Sequence, residues 1–105
     1  MSVPTVTNLP DGAYLLDVRE DDEWTAGHAP EATHIPLGEV PARVAELPAD
    51  RQIIAVCRGG GRSGRATAFL REQGLDVYNY DGGMRAWEQR GGALVTDSGA
   101  GATVI

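Results

Sequence analysis

The stretch AVCRGGGRSGRA, residues 55–66, holds the chain's one cysteine, Cys57. Behind it come Arg58, Gly59, Gly60, Gly61, Arg62, Ser63, Gly64 and Arg65. A thiol acts as a nucleophile through its thiolate. Glycines tolerate positive φ, so a loop rich in them can curl until successive N–H groups point inward as an anion-binding nest. Arginines add fixed charge and forked donors. The pattern predicts a nucleophilic cysteine in an oxyanion-binding cradle. A packed cysteine, an ordinary turn and solvated arginines would each explain one residue type, but all three would have to coincide within nine residues.

Two familiar phosphate motifs fail on inspection. A nucleotide-binding phosphate loop needs G-x-x-x-x-G-K-S/T. Gly59–Ala66 reads GGGRSGRA, with Arg65 for the lysine and Ala66 for the magnesium-binding hydroxyl. A cysteine phosphatase loop needs C-x5-R. Here Ser63 stands six residues after Cys57, and Arg62 comes one residue early.

The elements that must hold this loop follow from hydrophobic periodicity. Gln52–Val56 is short, β-branched and nearly continuous, a buried strand that runs straight into Cys57. Ser63–Gln73 reads as a helix with Ala66, Phe69 and Leu70 on one face and Gly74 as its stop. Ala13–Val18, Thr33–Ile35 and Asp76–Tyr80 read as further strands, and Val3–Leu9 as an edge strand. Glu20–Ala26, Val40–Leu47 and Met84–Arg90 read as short helices, with Pro41 in a first-turn position. Alternating strands and helices predict an α/β fold with a mostly parallel sheet. In such a fold, ligands bind beyond the carboxyl ends of the strands, where Cys57 falls. The helix that follows offers unpaired N–H groups and its dipole to a thiolate there.

Composition narrows the function further. The 105 residues amount to one domain, divided as a folded unit over 1–95 and a loosely held tail over 96–105 whose last three residues could dock. The formal net charge of −6 argues against nucleic acid or an anionic membrane as the main partner. One cysteine makes no internal disulfide, and the N-terminus has neither the basic nor the apolar region of a signal peptide. No apolar run approaches the roughly 20 residues of a membrane span. The expectation is a cytoplasmic protein, monomeric or weakly dimeric. There is no lysine, and all nine basic residues are arginine, which excludes Schiff-base chemistry on lysine.

Three segments together resemble rhodanese-type sulfurtransferases. CRGGGRS resembles that family's loop, C-R-x-G-x-R-S. LLDVREDDEWTAGHAPEATHIPL (15–37) resembles its early D-V-R…E-W…G-H…I-P segment. YNYDGGMRAWEQRGGALV (78–95) resembles its closing G-G…W…G…V segment. Ala29, Glu31 and Leu94 depart from the usual residues, and none of them touches the nucleophile. The resemblance implies a three-layer fold, a mostly parallel five-stranded sheet with helices on both faces. It also implies transfer of sulfane sulfur from an anionic donor such as thiosulfate, through a Cys57 persulfide, to cyanide or a thiol, a protein thiol included. The N–H groups of Arg58, Gly59, Gly60, Gly61 and Arg62 would then hold the persulfide, and Arg58 and Arg62 the donor's sulfonate. Ser63, Asp17 and Arg19 would be supporting residues, Asp17 as part of a structural ion pair. The six-residue loop length is the one associated with sulfur substrates, and no cofactor is called for. A single cysteine cannot resolve its own persulfide, so the acceptor is external.

The remaining polar residues take structural readings. Glu23 is placed to pair with an arginine. His28 and His34 lie six apart without a second pair of ligands, so no metal is expected. Trp24 and Trp87 read as core or rim packing. The competing functional readings are a non-catalytic binding or regulatory module, a persulfide carrier and, disfavoured by the arginine spacing, a phosphatase or arsenate reductase.

Overall fold

The computed structural model describes residues 3–105. Five short strands form the sheet: β1 Thr5–Val6, β2 Tyr14–Asp17, β3 Thr33–His34, β4 Ile53–Val56 and β5 Val77–Tyr80. Their order is β1-β5-β4-β2-β3, and every pairing is parallel. Helices α1 (Asp21–Ala26), α2 (Gly61–Glu72) and α3 (Gly83–Gln89) connect or follow them. All five predicted strands are present, each a little shorter than its apolar run.

The sheet is covered on both sides, so its strands read as continuous apolar runs rather than alternating ones. Leu16, Ile53, Ala55, Cys57 and Val77 point to one face, where Ala66 and Leu70 of α2 pack with Val40 and Leu47. Leu15, Ile54, Val56 and Tyr80 point to the other, against Met84, Ala86 and Trp87. All four residues of β4 are buried, the last strand residue leading directly to Cys57. Burying each such aliphatic side chain contributes roughly 1.5–3 kcal/mol.

The chain leaves β2 through α1 toward β3 on one side. It leaves β4 through α2 toward β5 on the other. Neighbouring strands whose connections depart in opposite directions open a crevice at their carboxyl ends. The segments after Asp17 and after Val56 meet there.

Two local expectations are corrected. The helix expected over Val40–Leu47 is a run of 3-10 turns over Leu37–Glu46, with a non-helical kink at Arg43 (φ −119°, ψ 18°). Pro41 inside the run has no N–H to donate, which prevents a continuous α-helix. Helix α2 begins at Gly61 rather than Ser63, so Arg62 stands on its first turn.

Candidate active site

Cys57 is buried, 1% exposed, at the carboxyl end of β4. Its Sγ accepts the Gly60 N–H at 3.0 Å, and the Ser63 hydroxyl oxygen lies 3.3 Å away. The curl that brings Gly60 back over the sulfur requires its φ of +114°, a left-handed conformation that favours glycine. The carbonyls of the same loop face the opposite way. Cys57 O accepts the Met84 N–H at 2.7 Å, and Arg58 O accepts the Arg85 N–H at 3.1 Å. Gly83 makes this grip possible: a Cβ there would lie 2.5 Å from both carbonyl oxygens. With the carbonyls drawn to α3, the loop presents its amides to the sulfur.

Burial pushes the Cys57 thiol up, because it removes water from the charged form. The Ser63 hydroxyl and the N–H groups of Ser63, Gly60 and Gly59 push it down, and their combined effect leaves the thiol below its ordinary value. The groups that lower the thiol are thus Gly59, Gly60 and Ser63.

The arginines are engaged by the chain itself. Arg62 meets Glu23 of α1 fork to fork, at 2.6 and 2.8 Å. Glu23 also accepts the Glu20 N–H at 2.9 Å. The bonds from Arg62 hold the Glu23 carboxyl down at about 2, against the upward push of its burial. Arg58 donates from Nε to the Ile105 main-chain oxygen at 2.9 Å. Arg65 instead borders an apolar cleft with Leu37, Val40, Pro41, Ala66 and Phe69.

Asp17 and Arg19 form a pair with both side chains fully buried, closed at 2.8 Å. Arg19 reaches on to the Gly27 carbonyl at 2.7 Å, which fixes the turn after α1. Trp24 stacks on His28 with centroids 3.5 Å apart and on His34 at 4.8 Å. His28 and Trp24 both approach the Asp97 carboxylate, at 3.2 and 3.4 Å. Among the described residues, no three His, Cys, Asp or Glu side chains converge as a metal site needs.

Residues 96–105 run back across this end of the sheet. Val95 bridges His28 through paired main-chain hydrogen bonds, and the Thr103 N–H donates to the Ala26 carbonyl at 2.9 Å. Val104 packs on the α3 face of the core. Gly27 admits this close approach, since a Cβ there would lie 2.5 Å from the Thr103 oxygen.

Two participants escape a reading of the sequence. Asn79 of β5 accepts the Ser63 hydroxyl at 2.6 Å and donates to the Gly60 carbonyl at 3.1 Å. Its signal was available: an amide at the carboxyl end of an otherwise apolar strand. For Ile105 the sequence marks only that the last three residues could dock, and not that Arg58 receives them.

A family described as Rhodanese-like domain matches residues 5–90. The Bacillus subtilis (strain 168) protein named "Putative sulfurtransferase YtwF" is 44% identical over 75 residues, 71% of this chain and 73% of that one. A protein of Allochromatium vinosum named "Sulfurtransferase" is 38% identical over 86 residues, covering 81% of this chain and 80% of its own. The crystal structure of a rhodanese-related protein from Thermoplasma volcanium superposes with a TM-score of 0.78 at 30% identity. It covers 81% of this chain and 85% of that one.

Proposed function

The chain belongs to the rhodanese-like domain family, and from that premise we propose that it is a sulfurtransferase carrying sulfane sulfur on Cys57. The carrying observation is the environment of Sγ: a buried sulfur that faces the Gly60 amide and the Ser63 hydroxyl while the loop's carbonyls turn away. Donors aimed at the place where negative charge sits stabilise the thiolate from which the reaction starts and to which it returns.

In this reaction the Cys57 thiolate attacks the outer sulfur of thiosulfate. A Cys–S bond to that sulfur forms as the donor's S–S bond breaks, and sulfite leaves with the bonding pair. The terminal sulfur of the persulfide is then attacked by a thiolate or by cyanide, and Cys57 recovers its electron pair as thiolate. With one cysteine in the chain, the acceptor comes from outside. Arg58 and Arg62 receive the sulfonate of the donor, which displaces their present partners. Asp17 and Arg19 serve by fixing the crevice wall. We assign the reaction to the cytoplasm, and to a monomer or weak dimer, on the unpaired thiol and the acidic balance.

The test is intact mass measurement after exposure to thiosulfate, with Cys57→Ser alongside. A gain of one sulfur atom, reversed by dithiothreitol and absent in the mutant, is expected. Cyanide should remove it as thiocyanate. Loading without transfer to cyanide or to small thiols would replace the transferase with a persulfide carrier. Failure to load from thiosulfate or any other sulfane donor would overturn the proposal.

A further inference from the structure

Ser63 has one hydroxyl proton and two neighbours that can take it, the Asn79 Oδ1 at 2.6 Å and the Cys57 Sγ at 3.3 Å. The orientation of the Asn79 amide is fixed by its other end. The Gly60 carbonyl only accepts, so the NH2 group must face it, at 3.1 Å, and the carbonyl end must face Ser63. An amide oxygen only accepts as well, so the short contact to Ser63 exists only while Ser63 donates it. Ser63 then turns a lone pair toward the sulfur, which suits a protonated Cys57 donating its S–H. Once the sulfur is an anion, the best use of the Ser63 proton is the sulfur itself, and the bond to Asn79 is given up.

We propose that Asn79 is a positioning residue of the sulfur cradle. It ties the left-handed Gly60 in place, and it competes with the sulfur for the single proton of Ser63. This deepens the sulfurtransferase reading, since the same competition would recur each time Cys57 changes between thiol, thiolate and persulfide. The other charged groups around Cys57 are Arg58 on the loop and Arg62 on α2, with Glu23 of α1 closed on Arg62 and Asp17 of β2 closed on Arg19. Their pairings are separate from the Asn79 contacts, so Asn79 acts on the sulfur through Ser63 and Gly60.

The two actions oppose each other and can be separated by a double-mutant cycle. The quantity read is the midpoint of the thiolate ultraviolet absorbance against pH, in the full chain, for the wild type, Asn79→Ala, Ser63→Ala and the double variant. When Ser63→Ala has already removed the hydroxyl, Asn79→Ala changes only the Gly60 tether. With Ser63 intact, it also frees the hydroxyl proton for sulfur. The expected result is a midpoint shift that is more downward with Ser63 present than without it. The difference should be about half to one pH unit, the worth of one neutral hydrogen bond. Additive shifts would reduce Asn79 to a packing residue and overturn the proposal. So would coupling of the opposite sign, which would make Asn79 a guide that aims the proton at sulfur. If Asn79→Ala fails to fold, Asn79→Ser enters the same cycle with the same expectation of sign. No sulfur donor is used, so these midpoints stand apart from the mass experiment: failure to load thiosulfate would sink the transferase reading and leave this one intact.

Discussion

Arg62 and Glu23 close a two-bond ion pair between the first turn of α2 and the first turn of α1, 39 residues apart in sequence, with side chains 29% and 12% exposed. It joins the walls of the crevice that β2 and β4 open, directly beside the cradle. Bidentate geometry and partial burial place it above the usual surface pair in worth.

The pair should show in acid. Glu23 is held at about 2 instead of its ordinary 4.5, so its contribution is fully present above pH 4.5 and is lost as the pH falls toward 2. Glu23→Gln keeps the shape and removes the charge. Urea unfolding should find it about 1 kcal/mol less stable than wild type near neutrality, with the two curves converging near pH 2. A gap that stayed constant down to pH 2 would mean that the charge contributes nothing.

Freeing Arg62 should also help the donor. Glu23→Gln is expected to lower the KM for thiosulfate several-fold at neutral pH, while kcat changes little. Steady-state kinetics at fixed ionic strength check this. An unchanged KM would show that Arg62 does not meet the sulfonate.

Cys57 should alkylate as a thiol of lowered proton affinity despite its burial. The rate with iodoacetamide should rise with a midpoint below that of an ordinary thiol, because the amides and the Ser63 hydroxyl outweigh the desolvation. Alkylation rates measured from neutral to alkaline pH check this. A midpoint above the ordinary value would mean that burial wins.

Gly83→Ala should be severe. Its φ of +62° disfavours any side chain, and the new Cβ would press on the carbonyls of Cys57 and Arg58 at 2.5 Å. A loss of about 2 kcal/mol or more is expected, or roughly 10 °C in melting temperature. Sulfur loading should fall with it, because the loop's amides lose their aim. The same change at Gly59, where a Cβ meets nothing within 4 Å, should leave stability within about 0.5 kcal/mol. Calorimetry of the two variants makes the comparison.

The 103–105 segment should compete with the donor for Arg58. Val104→Ser weakens its packing on the core, and the expected result is about 1 kcal/mol of lost stability together with a lower KM for thiosulfate. Thermal melts and kinetics on the same preparation separate the two effects. A raised KM would make the segment part of the donor site.

Much of this arrangement was legible in the sequence, because it is written in local pattern. Ile53–Val56 announced a strand buried on both faces, and the three glycines after Cys57 announced a curl. The apolar runs Ala13–Val18, Thr33–Ile35 and Asp76–Tyr80 announce the strands around them. The spacing of Val40, Val44 and Leu47 suits an α-helix, while Pro41 decides the hydrogen bonding and leaves 3-10 turns. Asn79 and Ser63 meet across 16 positions and Arg58 and Ile105 across 47. Contacts of that reach depend on how the layers stack, which no local period records. Glu23 reads from the sequence as a partner for an arginine, and only the crevice between β2 and β4 selects Arg62.

The burial of Cys57 has a bearing on chemical durability. Oxidation of a cysteine by peroxide needs thiolate character and access together. Here the first is supplied by the Gly60 amide and the Ser63 hydroxyl, while the second is small, since Cys57 is 1% exposed. Arg62 and Arg58 beside it are closed on Glu23 and on the Ile105 main-chain oxygen. A thiol held this way is expected to oxidise more slowly than an exposed thiol of the same proton affinity.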